Sequence, residues 1–488
     1  AKLIALLREH ASEGCVLFAV GDINQSIYGF RDADPEVFRN FREAVRAGGG
    51  EVVELQENFR SRPEILLAAE RLLAGAAGIE TRSLVAQRGL PPKDDPSVEV
   101  IVVRHRNKAI ARQREGRHVA ARVMELRGHL KIGNPTRAPA WRDFAVLVRT
   151  HNLVREFHKH LREAAIPCQV AGGAGFFESQ EVRDFMCLLQ VLSNPRDEIR
   201  LAAVLCSPLV GVSDETLLRL KLNGQNLADA LRGKLAVPGE DGQRLRTFVE
   251  RLARWRESSD SIPPDLLIWH ILRETGYEAF TLSQPDGAQK AASVRKLAEL
   301  SRSLHGTGRF TFGRLVERLA EWQASRPRQP EAEARENAEN AVQIMTMHNA
   351  KGLEFPIVFL PALDYVSRGS SDALAYLPAS GLGVKWADPQ TGEGAPDPAF
   401  QAGSERRKKR EKAENNRLLY VAMTRAEEHL VLSAALRINV TGSARLLRDR
   451  LGLKLDPLDQ APREEKRDGL RFRLIRTGQD AEPARADP

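Results

Sequence analysis

Residues 20–34 form the most informative stretch of the sequence and read Val20-Gly21-Asp22-Ile23-Asn24-Gln25-Ser26-Ile27-Tyr28-Gly29-Phe30-Arg31-Asp32-Ala33-Asp34. The apolar residues around its start predict a buried strand over residues 15–20, which a Gly-Asp pair ends. Because ligands of open α/β sheets bind at the carboxyl ends of strands, the Gln25 amide is suited to hold a water molecule or a phosphate oxygen. Tyr28, Phe30 and Arg31 supply stacking faces and a phosphate partner, the two parts of a single-strand nucleic-acid site. The alternative is a strand followed by a loop of packed aromatic residues.

Length and composition predict a globular protein of several domains, since 488 residues suffice for about three. Lysine and arginine number 73 against 65 aspartates and glutamates, and the net charge of +8 permits a polyanionic partner without requiring one. The four cysteines lie far apart without a metal-binding spacing, which predicts reduced thiols in a cytoplasmic protein. No apolar run approaches the ~20 residues of a membrane span, and the first residues lack a signal-peptide pattern.

Hydrophobic periodicity divides the chain into parts. Strands alternate with helices up to about residue 195, the pattern is almost wholly helical over 196–340, and strands and helices alternate again over 341–436. Residues 437–488 are charged and weakly patterned. An α/β block that is interrupted by helices and then resumes indicates an inserted domain, which is tolerated where both of its chain ends meet at a surface loop.

The predicted strands coincide with short apolar runs between turn residues. They cover residues 15–20, 51–55, 98–103, 143–149, 168–170, 341–346, 357–360 and 429–434. A segment rich in proline and glycine, 364–401, is typical of a surface loop, and a charged helix follows from Glu405 to Leu418. Within that helix, the run Arg406-Arg407-Lys408-Lys409-Arg410 is either a solvated face or a DNA contact.

Three further stretches put functional side chains where strands or helices end. Leu55-Gln56-Glu57-Asn58-Phe59-Arg60-Ser61 has an arginine at a strand-to-helix turn. Thr346-Met347-His348-Asn349-Ala350-Lys351-Gly352-Leu353-Glu354-Phe355 follows a strand and offers a histidine, a lysine, a glycine for close backbone approach and a carboxylate. Arg417-Leu418-Leu419-Tyr420-Val421-Ala422-Met423-Thr424-Arg425-Ala426 ends a helix with an arginine beside a threonine. Each signal alone is weak, but together and in this order they are specific.

With these four motifs, the sequence resembles superfamily 1 DNA helicases of the UvrD/Rep/PcrA type over residues 17 to about 435. Residues 360–414 look more like the AddA helicase–nuclease subunit than UvrD itself. The resemblance implies an α/β fold of RecA-like, P-loop NTPase-type domains with parallel sheets, one partial and one complete, and an inserted all-α domain. The implied parts are the remnant of a first RecA-like domain (1–56), a second one in two pieces (57–195 and 341–436), the helical insertion (196–340) and a tail or linker (437–488).

The resemblance also implies an ATP site. Such enzymes bind ATP between two RecA-like domains, with Gln25 sensing the γ-phosphate and Arg60 and Arg425 reaching it as arginine fingers. A guanidinium fork suits a phosphate better than an ammonium group does. Gly352 and Glu354 would complete the nucleotide-binding residues, Glu354 by accepting a hydrogen bond from the ribose.

Single-stranded DNA is the second ligand that the resemblance implies. Tyr28 and Phe30 would stack on bases, while Arg31, His348 and Lys351 would lie near the strand with backbone phosphate as the expected partner. Each residue has a structural alternative: core packing for the two aromatic residues, a structural hydrogen bond for the histidine, and capping of the preceding strand for the lysine.

Two motifs of these helicases do not occur in the sequence, the phosphate loop G-x-x-x-x-G-K-[ST] and an apolar strand ending in Asp-Glu. In the family both precede the loop at residues 20–34. We therefore expect the chain to begin inside the first ATPase domain, to lack the Mg2+ ligands, and to be inactive in ATP hydrolysis by itself. No paired carboxylates or Cys/His cluster in the sequence indicates a metal site within the chain.

The function expected from the resemblance is ATP-dependent 3′→5′ translocation on single-stranded DNA by a DNA helicase of double-strand break repair or recombination. A second, AddB-like subunit is the further partner that the AddA resemblance suggests, and no membrane partner is expected. Two alternatives stay open. One is a non-catalytic scaffold that binds single-stranded nucleic acid regardless of ATP. The other is a helicase–nuclease subunit with a vestigial helicase part and a downstream nuclease domain.

Overall fold

An eight-stranded sheet and a group of helices belong to two separate units of the chain. One unit comprises residues 1–169 and 340–488, and the other comprises residues 170–339. The computed structural model describes residues 17–29, 33–91, 93, 95–170, 176–223, 226–232, 237–284, 287–306, 311–325, 340–366, 373–377, 381–387, 394–437, 440–452, 463–467 and 469–476.

The first unit is built on a mostly parallel sheet. In chain order the strands are β1 (Glu57–Asn58), β2 (Val85–Ala86), β3 (Val98–Arg104), β4 (Phe144–Val148), β5 (Cys168–Val170), β6 (Val342–Thr346), β7 (Phe355–Leu360), β8 (Leu374–Leu377), β9 (Gly381–Ala387), β10 (Gly394–Pro396), β11 (Ala426–Leu436), β12 (Arg463–Arg467) and β13 (Leu470–Arg476). The main sheet has the order β12-β13-β3-β11-β7-β4-β6-β5. Pairing is parallel from β13 to β6, whereas β12 is antiparallel to β13.

Helices flank the strands in the first unit and make up nearly all of the second. Those of the first unit are α1 (Pro35–Ala47), α2 (Pro63–Leu73), α3 (Lys108–His129), α4 (His151–Glu163), α14 (Pro398–Met423) and α15 (Ala444–Arg450). Those of the second are α5 (Gln180–Ser193), α6 (Glu198–Cys206), α7 (Asp214–Asn223), α8 (Leu227–Arg232), α9 (Gly239–Ser258), α10 (Pro264–Thr275), α11 (Tyr277–Leu282), α12 (Gly287–Gly306) and α13 (Phe312–Ser325).

The central strands are apolar on both faces because helices cover both. All five residues of β4 are buried, as are the first six of β3. Helices α2 and α3 pack against β3 and β11, and α4 packs against β4 and β6. Strands buried on both faces have continuous apolar runs rather than alternation. The predicted α/β class and its central strands are therefore confirmed.

The second unit has its own core. It is formed by apolar side chains from successive helices, among them Phe185, Val204, Leu245, Ile268 and Leu297. A buried hydrogen bond of 2.8 Å from the Tyr277 hydroxyl to Asp184 ties α11 to α5 within that core. Among the helices described in either unit, none is long and apolar enough to span a membrane.

Two predicted strands were wrong. Residues 17–20, the described part of the first, and residues 51–55 have no strand structure. Phe18 is 86% exposed and Leu55 is 72% exposed. A strand needs a neighbour for its backbone hydrogen bonds, and in the described part of the chain no strand pairs with either segment. An apolar pattern alone was therefore not sufficient.

The weakly patterned end of the chain contains more structure than the sequence suggested. Helix α15 and the β12–β13 hairpin lie there, and β13 pairs in parallel with β3. Leu470 and Phe472 are buried, while the intervening Arg471 pairs with Asp95 and Glu99. The arginines conceal the strand pattern because their charge is neutralised by carboxylates from elsewhere in the chain.

The segment predicted as a surface loop, 364–401, also contains strands. Strands β8, β9 and β10 form a three-stranded antiparallel sheet. Helix α14 begins at Pro398, earlier than the predicted Glu405, because Asp397 caps it by accepting from the Phe400 amide at 2.6 Å. The remaining part of this segment lies outside the described residues.

A buried charge cluster joins the sheet to α3. The Glu99 carboxylate on β3 bonds Arg122 Nε at 2.9 Å, Arg471 Nη1 at 3.3 Å and His429 Nε2 at 3.1 Å. Burial lowers the pKa of His429, so its imidazole is neutral and donates to the carboxylate. Burial opposes ionisation of Glu99, but His429 and Arg122 outweigh it and hold the pKa of that carboxyl well below its usual value.

Acidification should destabilise this unit through both groups. An unfolded histidine takes up a proton near pH 6.5 and an unfolded glutamate near pH 4.3, whereas the native side chains resist protonation. Stability is therefore present above about pH 6.5, falls as His429 protonates in the unfolded state, and falls further below about pH 4.3. We expect His429→Gln to remove the first of these losses. The unfolding midpoint of the full chain between pH 8 and 5 tests this, with exposed His129→Gln as the control; an unchanged pH profile in His429→Gln would contradict it.

Candidate functional site

The loop that begins at Gly21 is shaped by Asp22. Its carboxylate caps a short 3-10 turn, Ile23–Gln25, by accepting from the Asn24 amide at 3.0 Å. The other carboxylate oxygen accepts from Gln25 Nε2 at 2.9 Å. The half-buried Gln25 side chain is thus oriented by a neighbour three residues away, and Asp22 is a site residue for which the sequence predicted no role.

Asn24 fixes this loop to a distant part of the chain. Its side-chain Nδ2 donates to the Glu80 carbonyl and its Oδ1 accepts from the Glu80 amide, both at 2.8 Å. Asn24 is 2% exposed, and Ile23 and Ile27 beside it are equally buried. The Glu80 carboxylate in turn binds Arg39, Arg42 and Arg82.

Asn24→Ala should loosen the loop without unfolding the chain. It leaves the backbone donor and acceptor of Glu80 without their partners, at a cost of about 1–3 kcal/mol. Hydrogen exchange of the Ser26 amide, which donates to Ile23 O at 3.0 Å, should accelerate by roughly 5- to 150-fold. Exposed Asn152→Ala is the control, and an unchanged exchange rate in Asn24→Ala would show that the loop is held by other contacts.

Lys351 connects the loop to the turn that follows β6. Its Nζ donates to the Gln25 carbonyl at 2.9 Å and lies 4.6 Å from the centre of the Tyr28 ring. Gly352 has a φ of +89°, which favours glycine. Burial, and then the charge of Arg425, lower the pKa of Lys351. His348 lies half-buried in the same turn.

Arg425 lies at the junction of α14 and β11 and is 2% exposed. Its Nε donates to the Val421 carbonyl at 3.0 Å and its Nη1 to the Leu353 carbonyl at 3.1 Å. Burial, followed by repulsion from Arg60, lowers its pKa to about 10. The side chain is still a cation at neutral pH, but a carboxylate does not bind it directly within the described residues, so its charge is incompletely balanced.

Arg60 meets the same part of the chain from the turn before α2. Its Nε donates to Glu354 at 2.7 Å and its Nη1 to the Thr424 carbonyl at 3.4 Å. The Arg60 guanidinium holds the pKa of Glu354 below its usual value. The predicted cap of α2 by Ser61 was wrong, because the Ser61 hydroxyl donates instead to the Ala426 carbonyl at 2.6 Å.

Residues 351–354 therefore contact all three side chains or loops that the sequence assigned to the phosphate. Lys351 bonds the backbone of Gln25, Leu353 accepts from Arg425, and Glu354 accepts from Arg60. Burial raises the pKa of Tyr420 to about 12, with the Asp22 carboxylate as a further cause. Tyr420 belongs to the YVAMTR stretch, and that was the available signal for it.

Helix α14 borders the other end of the loop. Arg417 Nε donates to the Ser26 carbonyl at 2.6 Å, and Glu414 accepts from the Gly29 amide at 3.0 Å. A Cβ atom at Gly29 would lie 2.4 Å from that carboxylate, so no larger residue fits. Tyr28 is half-buried, with Lys351 against one face of its ring. Phe30 and Arg31 lie outside the described residues, so their predicted DNA contacts stay predictions.

A metal-binding cluster is not found at this site. In the ranges that the structure describes, no group of three or more histidine, cysteine, aspartate or glutamate side chains is arranged to hold a metal ion. The described site therefore consists of cations, two carboxylates, an amide and an aromatic ring.

Two protein-family models match the chain. The UvrD-like helicase C-terminal domain matches residues 53–437, and the UvrD/REP helicase N-terminal domain matches residues 1–46. The first match alone covers more than half of the sequence, so the chain belongs to the UvrD-like helicase family. The resemblance expected from the motifs is confirmed.

Curated relatives define the branch of that family. The AddA-type ATP-dependent helicase/nuclease subunit of Desulforudis audaxviator is 34% identical over 463 residues, which cover 86% of this chain and 37% of the relative. The protein of the same name from Pelotomaculum thermopropionicum is 33% identical, over 88% of this chain and 39% of its own length. That from Bacillus velezensis is 31% identical, over 88% and 37%. The chain thus spans less than two fifths of the length of these relatives.

Proposed function

We propose that this chain is part of the motor of an ATP-dependent DNA helicase that moves 3′→5′ on single-stranded DNA in double-strand break repair or recombination. Residues 17–56 would belong to a first RecA-like domain. Residues 57–195 and 341–436 would form a second, with residues 196–340 as its helical insertion. The name of the relatives, which describes each as one subunit of a helicase/nuclease, supports this proposal and suggests that a further subunit is the partner.

One observation carries the proposal: the 351–354 segment touches the Gln25 loop, Arg60 and Arg425 at once. These side chains come from positions up to 400 residues apart. Convergence of an amide and two guanidinium groups suits an anion with several oxygens, as a triphosphate is. A packing role alone would not require two arginines to approach each other, since like charges repel.

The electrostatics also fit a phosphate. Arg60, Lys351 and Arg425 outnumber Asp22 and Glu354, and the pKa of Arg425 is lowered because its charge is buried without a direct anionic partner among the described residues. ATP supplies the phosphoryl group whose transfer develops negative charge on equatorial oxygens. The two guanidinium groups would stabilise that charge, and the Gln25 amide would orient the attacking water or sense the γ-phosphate. Their contacts would be stronger with the γ-phosphate present, which is how ATP could favour one conformation over another.

The phosphate loop and the Mg2+ ligands are not among these 488 residues. We therefore infer that the chain alone binds single-stranded DNA but does not turn over ATP. Turnover belongs to a longer protein that joins this chain to a glycine-rich phosphate loop. In that protein Glu354 would accept from the ribose, and Gly352 would allow close backbone approach.

Unwinding by the longer protein tests the proposed function. We expect it to separate a duplex with a 3′ single-stranded tail in the presence of ATP and Mg2+, and to leave a 5′-tailed duplex intact. Unwinding from the 5′ tail would overturn the polarity. Tight single-strand binding that is indifferent to ATP, with no ATP turnover, would favour the non-catalytic scaffold instead.

Tyr28→Ala tests the DNA part of the proposal. Stacking of a base on an aromatic side chain contributes about 1–3 kcal/mol, so affinity for a short oligonucleotide should fall by roughly 5- to 150-fold. Tyr28→Phe keeps the ring and should bind nearly normally. Tyr376→Ala, at an exposed tyrosine on β8, is the matched control. Equal affinities for Tyr28→Ala and the unaltered chain would show that Tyr28 only packs against Lys351.

A further inference from the structure

The two halves of α14 lie in different environments. Residues 416–419 and 421–423 are buried, whereas most of the residues from 405 to 412 are exposed. Exposed basic side chains on this half occupy positions three and four residues apart, which places them on one face of the helix. We call them the α14 basic face, formed by Arg406, Lys408, Lys409 and Lys412.

The charges of the α14 basic face are not balanced by the protein. Within the described residues, no carboxylate lies within salt-bridge distance of any of its four side chains, whereas neighbouring Arg410 pairs with Asp34 at 3.5 Å. Other surface helices pair their arginines internally, as in Arg314–Glu317 at 2.8 Å and Arg318–Glu321 at 2.9 Å. Like charges three or four residues apart destabilise a helix. The α14 basic face therefore does not serve the stability of the helix, which indicates an anionic ligand.

The α14 basic face adjoins the end of the candidate site where Tyr28 lies. Glu414 binds the Gly29 amide and Arg417 binds the Ser26 carbonyl, only a turn beyond Lys412. At 1.5 Å per residue, the helix covers about 12 Å between positions 414 and 406. That length corresponds to roughly three nucleotides at the ~3.4 Å spacing of one strand in B-form DNA. A strand leaving Tyr28 along the helix would thus pass all four cations.

We propose that the α14 basic face binds the phosphate backbone of single-stranded DNA where the strand extends beyond Tyr28. This inference rests on the proposed function and adds a second segment to its DNA site. Lysines and an arginine on a solvated helix, with no aromatic ring among them, bind backbone phosphate and do not distinguish bases. The contact is therefore independent of sequence, sensitive to salt and effective only for strands long enough to reach it.

The test compares the chain with a variant in which Arg406, Lys408, Lys409 and Lys412 are all changed to Gln. The matched control removes four exposed cations elsewhere in the same unit, by changing Arg46, Lys131, Lys159 and Arg162 to Gln. Binding of labelled oligo-dT of about 6 and about 20 nucleotides is measured over a range of salt concentrations. Because all eight side chains are exposed, we expect both variants to keep the unfolding midpoint of the unaltered chain.

We expect the α14 variant to bind the short oligonucleotide like the unaltered chain and to lose affinity for the long one. For the long strand, the slope of log K against log salt should become less steep by roughly three, since each lost phosphate contact contributes about 0.7 for single strands. The matched control should keep the slope of the unaltered chain. Equal slopes for the α14 variant and the matched control would overturn the inference while leaving the proposed function intact. Loss of an acidic protein partner without any change in DNA binding would overturn it as well. Failure of the unaltered chain to bind either oligonucleotide would overturn the proposed function and this inference together.

Discussion

Arg425→Gln is expected to lower single-strand-stimulated ATP turnover by roughly 10³–10⁵-fold in the longer protein, with little change in DNA affinity. Arg425 is the largest fully buried side chain of the described residues, and two backbone carbonyls hold its guanidinium in place. A preorganised cation can stabilise charge that develops in the transition state without reorienting. Arg425→Lys keeps the charge but loses the planar fork, so it should remain strongly impaired. Steady-state ATP hydrolysis with saturating oligonucleotide measures the effect.

A buried arginine also supports the fold, so the Arg425 variants need a control. Arg122→Met removes another buried arginine, whose partners are Glu99 and Glu125. It should lower the unfolding midpoint while leaving turnover near normal at low temperature. If Arg425→Gln is folded, binds the oligonucleotide and hydrolyses ATP at the normal rate, Arg425 is a structural residue only.

Arg60→Ala should have the second-largest effect, a loss of turnover on the order of 10³-fold. Arg60 is only partly exposed, and its salt bridge with Glu354 would have to be exchanged for a phosphate when ATP binds. This exchange predicts that Glu354→Gln, which weakens the competing salt bridge, does not reproduce the loss. ATP turnover and nucleotide affinity in the two variants separate the role of the arginine from that of its partner.

Arg88→Ala is the matched control for Arg60. Arg88 donates to the Arg60 carbonyl at 3.0 Å and pairs with Glu427, so it supports the same turn without facing Glu354. We expect a modest effect from Arg88→Ala and a severe one from Arg60→Ala. Comparable losses in both would mean that the turn, and not the guanidinium of Arg60, is required.

The sequence predicted the central strands because both of their faces are buried. The apolar runs of β3 and β4 have almost no polar interruptions, so only a buried strand or helix fits them. Strand β13 was missed because Arg471 and Arg473 carry charges that Asp95, Glu99, Glu125 and Glu464 neutralise from elsewhere. Residues 51–55 were wrongly predicted as a strand, since the pattern cannot show whether a pairing partner is present. Long-range pairing is what a local pattern lacks.

The candidate site was predictable as far as chemistry and motif order extend. Gln25, Arg60, Lys351, Glu354 and Arg425 each lie in a recognisable motif, and the structure brings them to one segment. Asn24 and Glu80 were not predictable, because their bond joins residues 56 positions apart and leaves no local pattern. The orientation of Gln25 by Asp22 and the partial charge balance of Arg425 likewise depend on three-dimensional contacts.

The central claim is that Gln25, Arg60 and Arg425 act on a single triphosphate. A structure of the longer protein with Mg2+, a non-hydrolysable ATP analogue and single-stranded DNA tests this claim most directly. We expect both guanidinium groups and the Gln25 amide within hydrogen-bond distance, about 3 Å, of γ-phosphate oxygens or of the water that attacks them. An analogue bound with Arg425 still held only by the Val421 and Leu353 carbonyls, and Arg60 only by Glu354, would contradict it.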